Sequence, residues 1–167
     1  MNSNNEPYVY QVAVKDIHKT DKRPCGLPKI PTLKLNISIE GCEGDFNEYR
    51  TKHKHSTNDR AVSLITNQLL DCFADEGWPV QPGDLGENIT VSGNITFQIG
   101  KTYSIGTVVL QITEDIEPCN KLLYLPYVGR DKKSVFIKML QGRRGWYARV
   151  LTPGIVVPGN LVIPVDD

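Results

Sequence analysis

At 167 residues the chain is long enough to bury a core without disulfide or metal staples, and is most simply one domain spanning residues 1–167. A hydrophobic fraction of 40% and a charged fraction of 23% are ordinary for a globular protein. Lys plus Arg (19) equals Asp plus Glu (19), so bulk charge makes no case for nucleic acid or an anionic membrane, and any anion site has to be local.

The first residues, MNSNNEPYVYQ, lack a basic region followed by an apolar run, and no apolar stretch reaches spanning length, so a cytoplasmic protein with no membrane partner is expected. Tyr8 to Ile17 alternates at Val12 and Val14 and predicts a first strand. His18 to Pro31 reads as a loop because Pro24, Gly26, Pro28 and Pro31 block regular structure, with Lys29 held between two prolines. Leu33, Leu35, Ile37 and Ile39 alternate with polar residues and predict a half-buried strand ending at Gly41. The polar segment that follows predicts a long surface loop. Its His53 and His55 lack the second half of a metal site, whereas Arg60 at its end offers a planar fork of donors to an anion.

From Ser63 to Glu76 the positions Leu64, Ile65, Leu69, Leu70 and Phe73 fit one helical face, with Cys72 at its boundary and Gly77 as a stop. Gln81 to Gly93 is the densest turn cluster in the chain. Gly83 and Gly86 permit tight turns and close approach of backbone to a ligand, and Glu87, Asn88 and Thr90 offer donors and acceptors suited to a heterocycle edge. Read by spacing alone, the same residues are a turn before a strand from Asn88 to Val91. Phe97 to Thr113 holds two further strand-like runs.

The β-branched run from Val108 then stops at Pro118 and delivers Cys119 at a strand exit, with Lys121 beside it and Glu114, Asp115 and Glu117 before it. A lysine nearby favours the thiolate that attacks or binds metal, and the acids oppose it. Taken alone, a cysteine in this place reads as an inert, small core residue ahead of a functional one. The four cysteines, Cys25, Cys42, Cys72 and Cys119, contain no C-x-x-C pair, which argues against a zinc ribbon or thioredoxin-type motif. Leu122 to Leu125 and Val135 to Leu140 are short apolar runs of ambiguous type, separated by the polar turn VGRDKK. Trp146 to Leu151 follows the glycine-bounded turn QGRRG, and the short strands Ile155 to Val157 and Leu161 to Val165 predict a hairpin about Gly159-Asn160. Many short strands and one convincing helix indicate a β-rich α+β domain, barrel-like because closure removes exposed edges.

Several segments, taken in order, resemble the MOSC family, named for the C-terminal domain of molybdenum-cofactor sulfurases. They are Lys29, Gly41-Cys42-Glu43-Gly44-Asp45, Asp59-Arg60-Ala61-Val62, GDLGENIT from Gly83 to Thr90, Pro118-Cys119, GWYARV from Gly145 to Val150, and a closing G-x-V-x-x-G-N. GDLGENIT followed by a single P-C some thirty residues later is the specific combination. The resemblance implies a MOSC-like β-barrel with a few short helices that binds molybdenum cofactor (molybdopterin). Cys119 would be the molybdenum ligand or a persulfide sulfur carrier, Asn88 would touch the pterin, and Lys29 and Arg60 would contact the pterin or its phosphate. Glu87, Thr90 and Lys121 are counted with them as cofactor contacts. Phe46-Asn47 and Ser56-Thr57 depart from the family's basic and His-Gly-Gly residues, so the loop from Phe46 to Asn58 is expected to shape a different substrate entrance. Two functions follow: a molybdenum-dependent reductase of N-hydroxylated small molecules, or a sulfur-carrier or cofactor-delivery module. An electron-donor protein, or a cysteine desulfurase as sulfur donor, would be the partner.

Overall fold

The computed structural model describes residues 5–15, 26–45 and 57–165. Among these, the strands are β1 (Tyr8–Val14), β2 (Ile30–Thr32), β3 (Leu35–Ser38), β4 (Gly41–Cys42), β5 (Val62–Thr66), β6 (Ile89–Ser92), β7 (Thr102–Ile105), β8 (Val108–Asp115), β9 (Trp146–Thr152), β10 (Gly154–Val156) and β11 (Val162–Val165). Two α-helices, α1 (Asn67–Asp75) and α2 (Gly129–Leu140), and 3-10 turns at Asn58–Arg60 and Asn120–Tyr124 complete the described elements. An eight-stranded sheet runs β11-β7-β8-β9-β5-β6-β1-β2, parallel only between β5 and β6, and a small sheet runs β10-β3-β4.

The sheet is open. The expected closed barrel does not form, because β1 divides its outer edge between two neighbours. Val12 to Val14 pair with β2, which leaves only the start of β1 for the far end of the sheet. There one isolated bridge, Tyr8 with Leu161, and three backbone bonds join the ends: Val9 N–H to Asn160 C=O, Gly159 N–H to Val9 C=O and Val162 N–H to Pro7 C=O. The result is a curled sheet with a stitched seam.

β5 lies at the centre and all five of its residues are buried. Leu64 packs with Val9, Val12, Leu35, Val62, Ile89, Leu110 and Ala148 in the core between the sheets, while Ile65 packs with Leu70, Phe73, Leu122, Phe136 and Leu140 beneath the helices. A strand covered on both faces carries a continuous apolar run and not an alternation. That is why Leu64 and Ile65, expected on a helix, are strand residues. The helix begins only after Thr66, whose Oγ1 accepts the Leu69 N–H at 3.4 Å as an N-cap.

Other expectations shift for comparable reasons. Pro31 lies inside the edge strand β2, where its missing N–H can face away from the ladder. Leu33 and Ile39 lie outside β3 and are exposed, so only Leu35 and Ile37 use the predicted inward face. The polar stretch VGRDKK, read as a turn, lies largely within α2, whose buried residues are Phe136 and Leu140. Cys72 is exposed instead of at the core boundary. β10 and β11 are not a hairpin: β10 joins β3 in one sheet and β11 joins β7 in the other. His53, His55 and Cys25 lie outside the described residues. No described helix is long and apolar enough to cross a membrane.

Candidate functional site

The turn from Gly83 to Thr90 folds onto Lys29. The Lys29 N–H donates to the Gly83 carbonyl at 2.9 Å, and Gly83 has φ +96, so a Cβ here would fall 2.5 Å from the Lys29 carbonyl oxygen. Glycine is required for that approach. Glu87 turns back into its own turn, where Oε1 accepts the Gly83 N–H and lies 3.5 Å from Thr90 Oγ1. Its other oxygen, Oε2, is buried without a hydrogen-bond partner among the described residues. Burial pushes the Glu87 carboxyl up from its ordinary value, opposed by the Gly83 and Glu87 amides and by the Lys29 charge, with Asp84 reinforcing the rise.

Asn88 is 3% exposed and holds the centre of this region. Its Oδ1 accepts from the Ser63 N–H at 3.1 Å and from Ser63 Oγ at 3.0 Å. Its Nδ2 donates to Asp45 Oδ2 at 2.7 Å, and the same oxygen receives Lys29 Nζ at 2.6 Å. Lys29 and Asp45 form a largely enclosed ion pair, each side chain 10% exposed. Lys29, Glu87, Asn88 and Thr90 are thus brought together, with Asp45 and Ser63 as partners.

Cys119 is half-buried, packed against the helix-side core, and sits at the N-cap of the Asn120–Tyr124 turn, after the chain leaves β8. Lys121 lies in the same turn, half-buried. Arg60 is engaged: Nε and Nη2 form a bidentate pair with Glu114 at 2.7 and 2.9 Å, and the guanidinium lies 5.3 Å from the Tyr147 ring centre. An internal carboxylate therefore occupies the fork expected to meet a ligand anion.

Tyr147 lies on β9 between β8 and β5. It is register-paired with Glu114 on β8 and with Ser63 on β5, which sets Glu114, Tyr147 and Ser63 side by side across roughly 10 Å of sheet. Its hydroxyl is pushed up by burial; the charges of Arg144 and Arg60 draw it down, and Cys119 and Glu114 add to the rise. The phenol stays protonated at neutral pH and is available as a donor. Ser63 then continues the row to Asn88, Asp45 and Lys29.

Sequence reasoning did not single out Tyr147, Arg144, Ser63 or Glu114 as site residues. The first two lie in or beside GWYARV, a segment already recognisable, but nothing in its spacing says that it lands between β5 and β8. A separate polar groove of about 470 Å³, lined in part by Asn67, Gln68, Asp71, Ser92 and Asn94 at the start of α1, contains none of these groups. Among the described residues no cluster of three or more His, Cys, Asp and Glu side chains is arranged to hold a metal ion.

Solved structures share this architecture. The YUAD protein of Bacillus subtilis superposes with a TM-score of 0.74 at 20% identity, covering 93% of each chain. YiiM of Geobacillus stearothermophilus gives 0.71 at 22% identity, over 96% of this chain and 75% of that one, and YiiM of Escherichia coli gives 0.64 at 22%, over 95% and 70%. No curated protein matches the sequence. The model of the MOSC domain matches residues 51–163, a span that takes in Arg60, the GDLGENIT turn, Cys119 and Tyr147. The chain belongs to the MOSC domain family.

Proposed function

We propose that this protein binds a pterin-based molybdenum cofactor with Cys119 as the metal's protein ligand, and that the bound cofactor reduces N-hydroxylated small molecules. The observation that carries the reading is the hydrogen-bonded row Ser63, Asn88, Asp45 and Lys29, drawn from four separate segments, with Tyr147 in register beside Ser63.

The residues fit such a group. Glu87 Oε2 and Arg144 Nε are buried polar atoms with no hydrogen-bond partner among the described residues, the kind of deficit a polar heterocycle or anion relieves. A soft thiol suits a transition metal as its protein ligand. When bound, the group would supply the redox change. Cys119 would hold the metal and tune it through thiolate charge, and Asn88 would orient a ring edge from its bonds to Ser63 and Asp45. Tyr147 would keep a proton beside the reacting centre. In the net reaction the N–O bond breaks, an electron pair from a donor protein and protons are taken up, and the oxygen leaves as water.

The test is molybdenum and pterin content of protein purified from a cofactor-competent host, wild type against Cys119→Ser. Stoichiometric molybdenum that is lost in the variant supports the ligand role, and turnover of an N-hydroxylated base with an artificial electron donor supports the reaction. Pterin without molybdenum, together with labelled sulfur on Cys119, moves the function to sulfur carriage. Absence of both groups under loading conditions removes the cofactor reading.

A further inference from the structure

A buried cation with no counter-ion is among the costlier arrangements a fold can hold. Among the described residues Arg144 is in that position. It is 8% exposed, and the ion pairs formed by the described residues, Lys29–Asp45, Arg60–Glu114, Arg143–Glu76 and Arg149–Asp59, do not include it. Neutral groups hold its guanidinium instead: Nη1 donates to the Glu117 carbonyl at 2.6 Å and Nη2 to the Leu85 carbonyl at 2.9 Å. Nε is buried and has no hydrogen-bond partner among the described residues.

The two carbonyls are not arbitrary. Glu117 precedes Pro118-Cys119, and Leu85 lies within the turn that carries Glu87 and Asn88. Arg144 therefore bridges two chain segments that local structure leaves independent, one of them two residues from Cys119. Carbonyl dipoles orient a guanidinium but leave its net charge in place.

We propose that Arg144 is the positioning residue and anion anchor of this site, tying the Cys119 turn to the Gly83–Thr90 turn and balancing its charge against an oxoanionic group bound beside Cys119. The inference rests on the cofactor reading only for the identity of that group; the anchor itself needs only an anion of this class.

The experiment uses the full chain and inorganic molybdate as the probe, titrated calorimetrically into wild type, Arg144→Met, Arg144→Lys and, as a control, Arg143→Met. Molybdate should bind wild type and Arg143→Met alike and bind Arg144→Met about tenfold or more weakly. Arg144→Lys keeps the charge and loses the fork, so it should retain most of the binding while amide exchange in residues 117–122 and 83–88 speeds up. Equal loss of molybdate in the Lys and Met variants would mean a purely structural arginine and overturn the proposal, as would wild-type affinity in Arg144→Met or no binding to wild type. If Arg144→Met does not fold, protection decides. Molybdate should slow alkylation of Cys119 in wild type and in Arg144→Lys, and absence of protection overturns the anchor. Molybdenum and pterin contents separate the two readings. Contents equal in wild type and Arg144→Met but lost in Cys119→Ser drop the anchor and keep the cofactor, whereas Arg144-dependent molybdate binding without any pterin keeps the anchor and drops the cofactor.

Discussion

Burial pushes the Glu87 carboxyl above its ordinary 4.5, and the residue's surroundings explain why no full compensation occurs: two amides, the Lys29 charge and Thr90 face it, while Asp84 opposes ionisation. A carboxyl whose folded value is raised contributes stability below its unfolded value and loses that contribution as pH rises through the folded one. Wild type should therefore lose melting temperature relative to Glu87→Gln as pH climbs above 4.5. A temperature difference that stays flat from roughly pH 4 to 8 would show that Glu87 ionises freely. At this scale the sequence was informative about residue types. Cys119, Asn88 and Lys29 stood out because few side chains offer their chemistry. Arg60 stood out too, yet its fork meets Glu114, fifty-four positions away, and no local pattern announces that pairing. Half-exposed as it is, the pair adds only about 0–1 kcal/mol, so its interest lies in occupancy and not in stability.

Among the elements, β5 and β9 decide whether the site is assembled. β9 enters beside β5 through Gly145, which has φ +98 and lies so close to the Leu64 carbonyl that a Cβ would collide with it. Gly145→Ala should cost roughly 2 kcal/mol or more by urea denaturation, and should also alter Tyr147 fluorescence or chemical shifts because β9 must move away from β5. A change below about 0.5 kcal/mol would mean that β9 relaxes without penalty. The same pair of strands shows where periodicity misleads. Val62 to Thr66 is buried on both faces, with Leu64 in one core cluster and Ile65 in the other, and such a run cannot be told from a helical stripe by spacing. By contrast Leu35 and Ile37, with one face toward the core, were legible.

Across the whole molecule, the seam between the start of β1 and residues 159–162 is the weakest join in the sheet's curl, with one bridge and three backbone bonds. Native-state hydrogen exchange should find the Val9, Gly159 and Val162 amides opening well before those of β5, which is paired on both edges and buried throughout. Equal protection at both places would mean that the curled sheet opens only as a unit. The sequence by itself determined the β-rich composition, the strands with one buried face, the glycine-dependent turns and the small set of chemically capable side chains, because each of these follows from residues a few positions apart. Only the tertiary structure decided that the sheet stays open, that Tyr147 stands between Ser63 and Glu114, that Asp45 pairs with Lys29, and that Arg144 is buried between the carbonyls of Leu85 and Glu117. Hydrogen-bond satisfaction and charge balance depend on which distant segment arrives alongside, and that is settled by the packing of the complete chain.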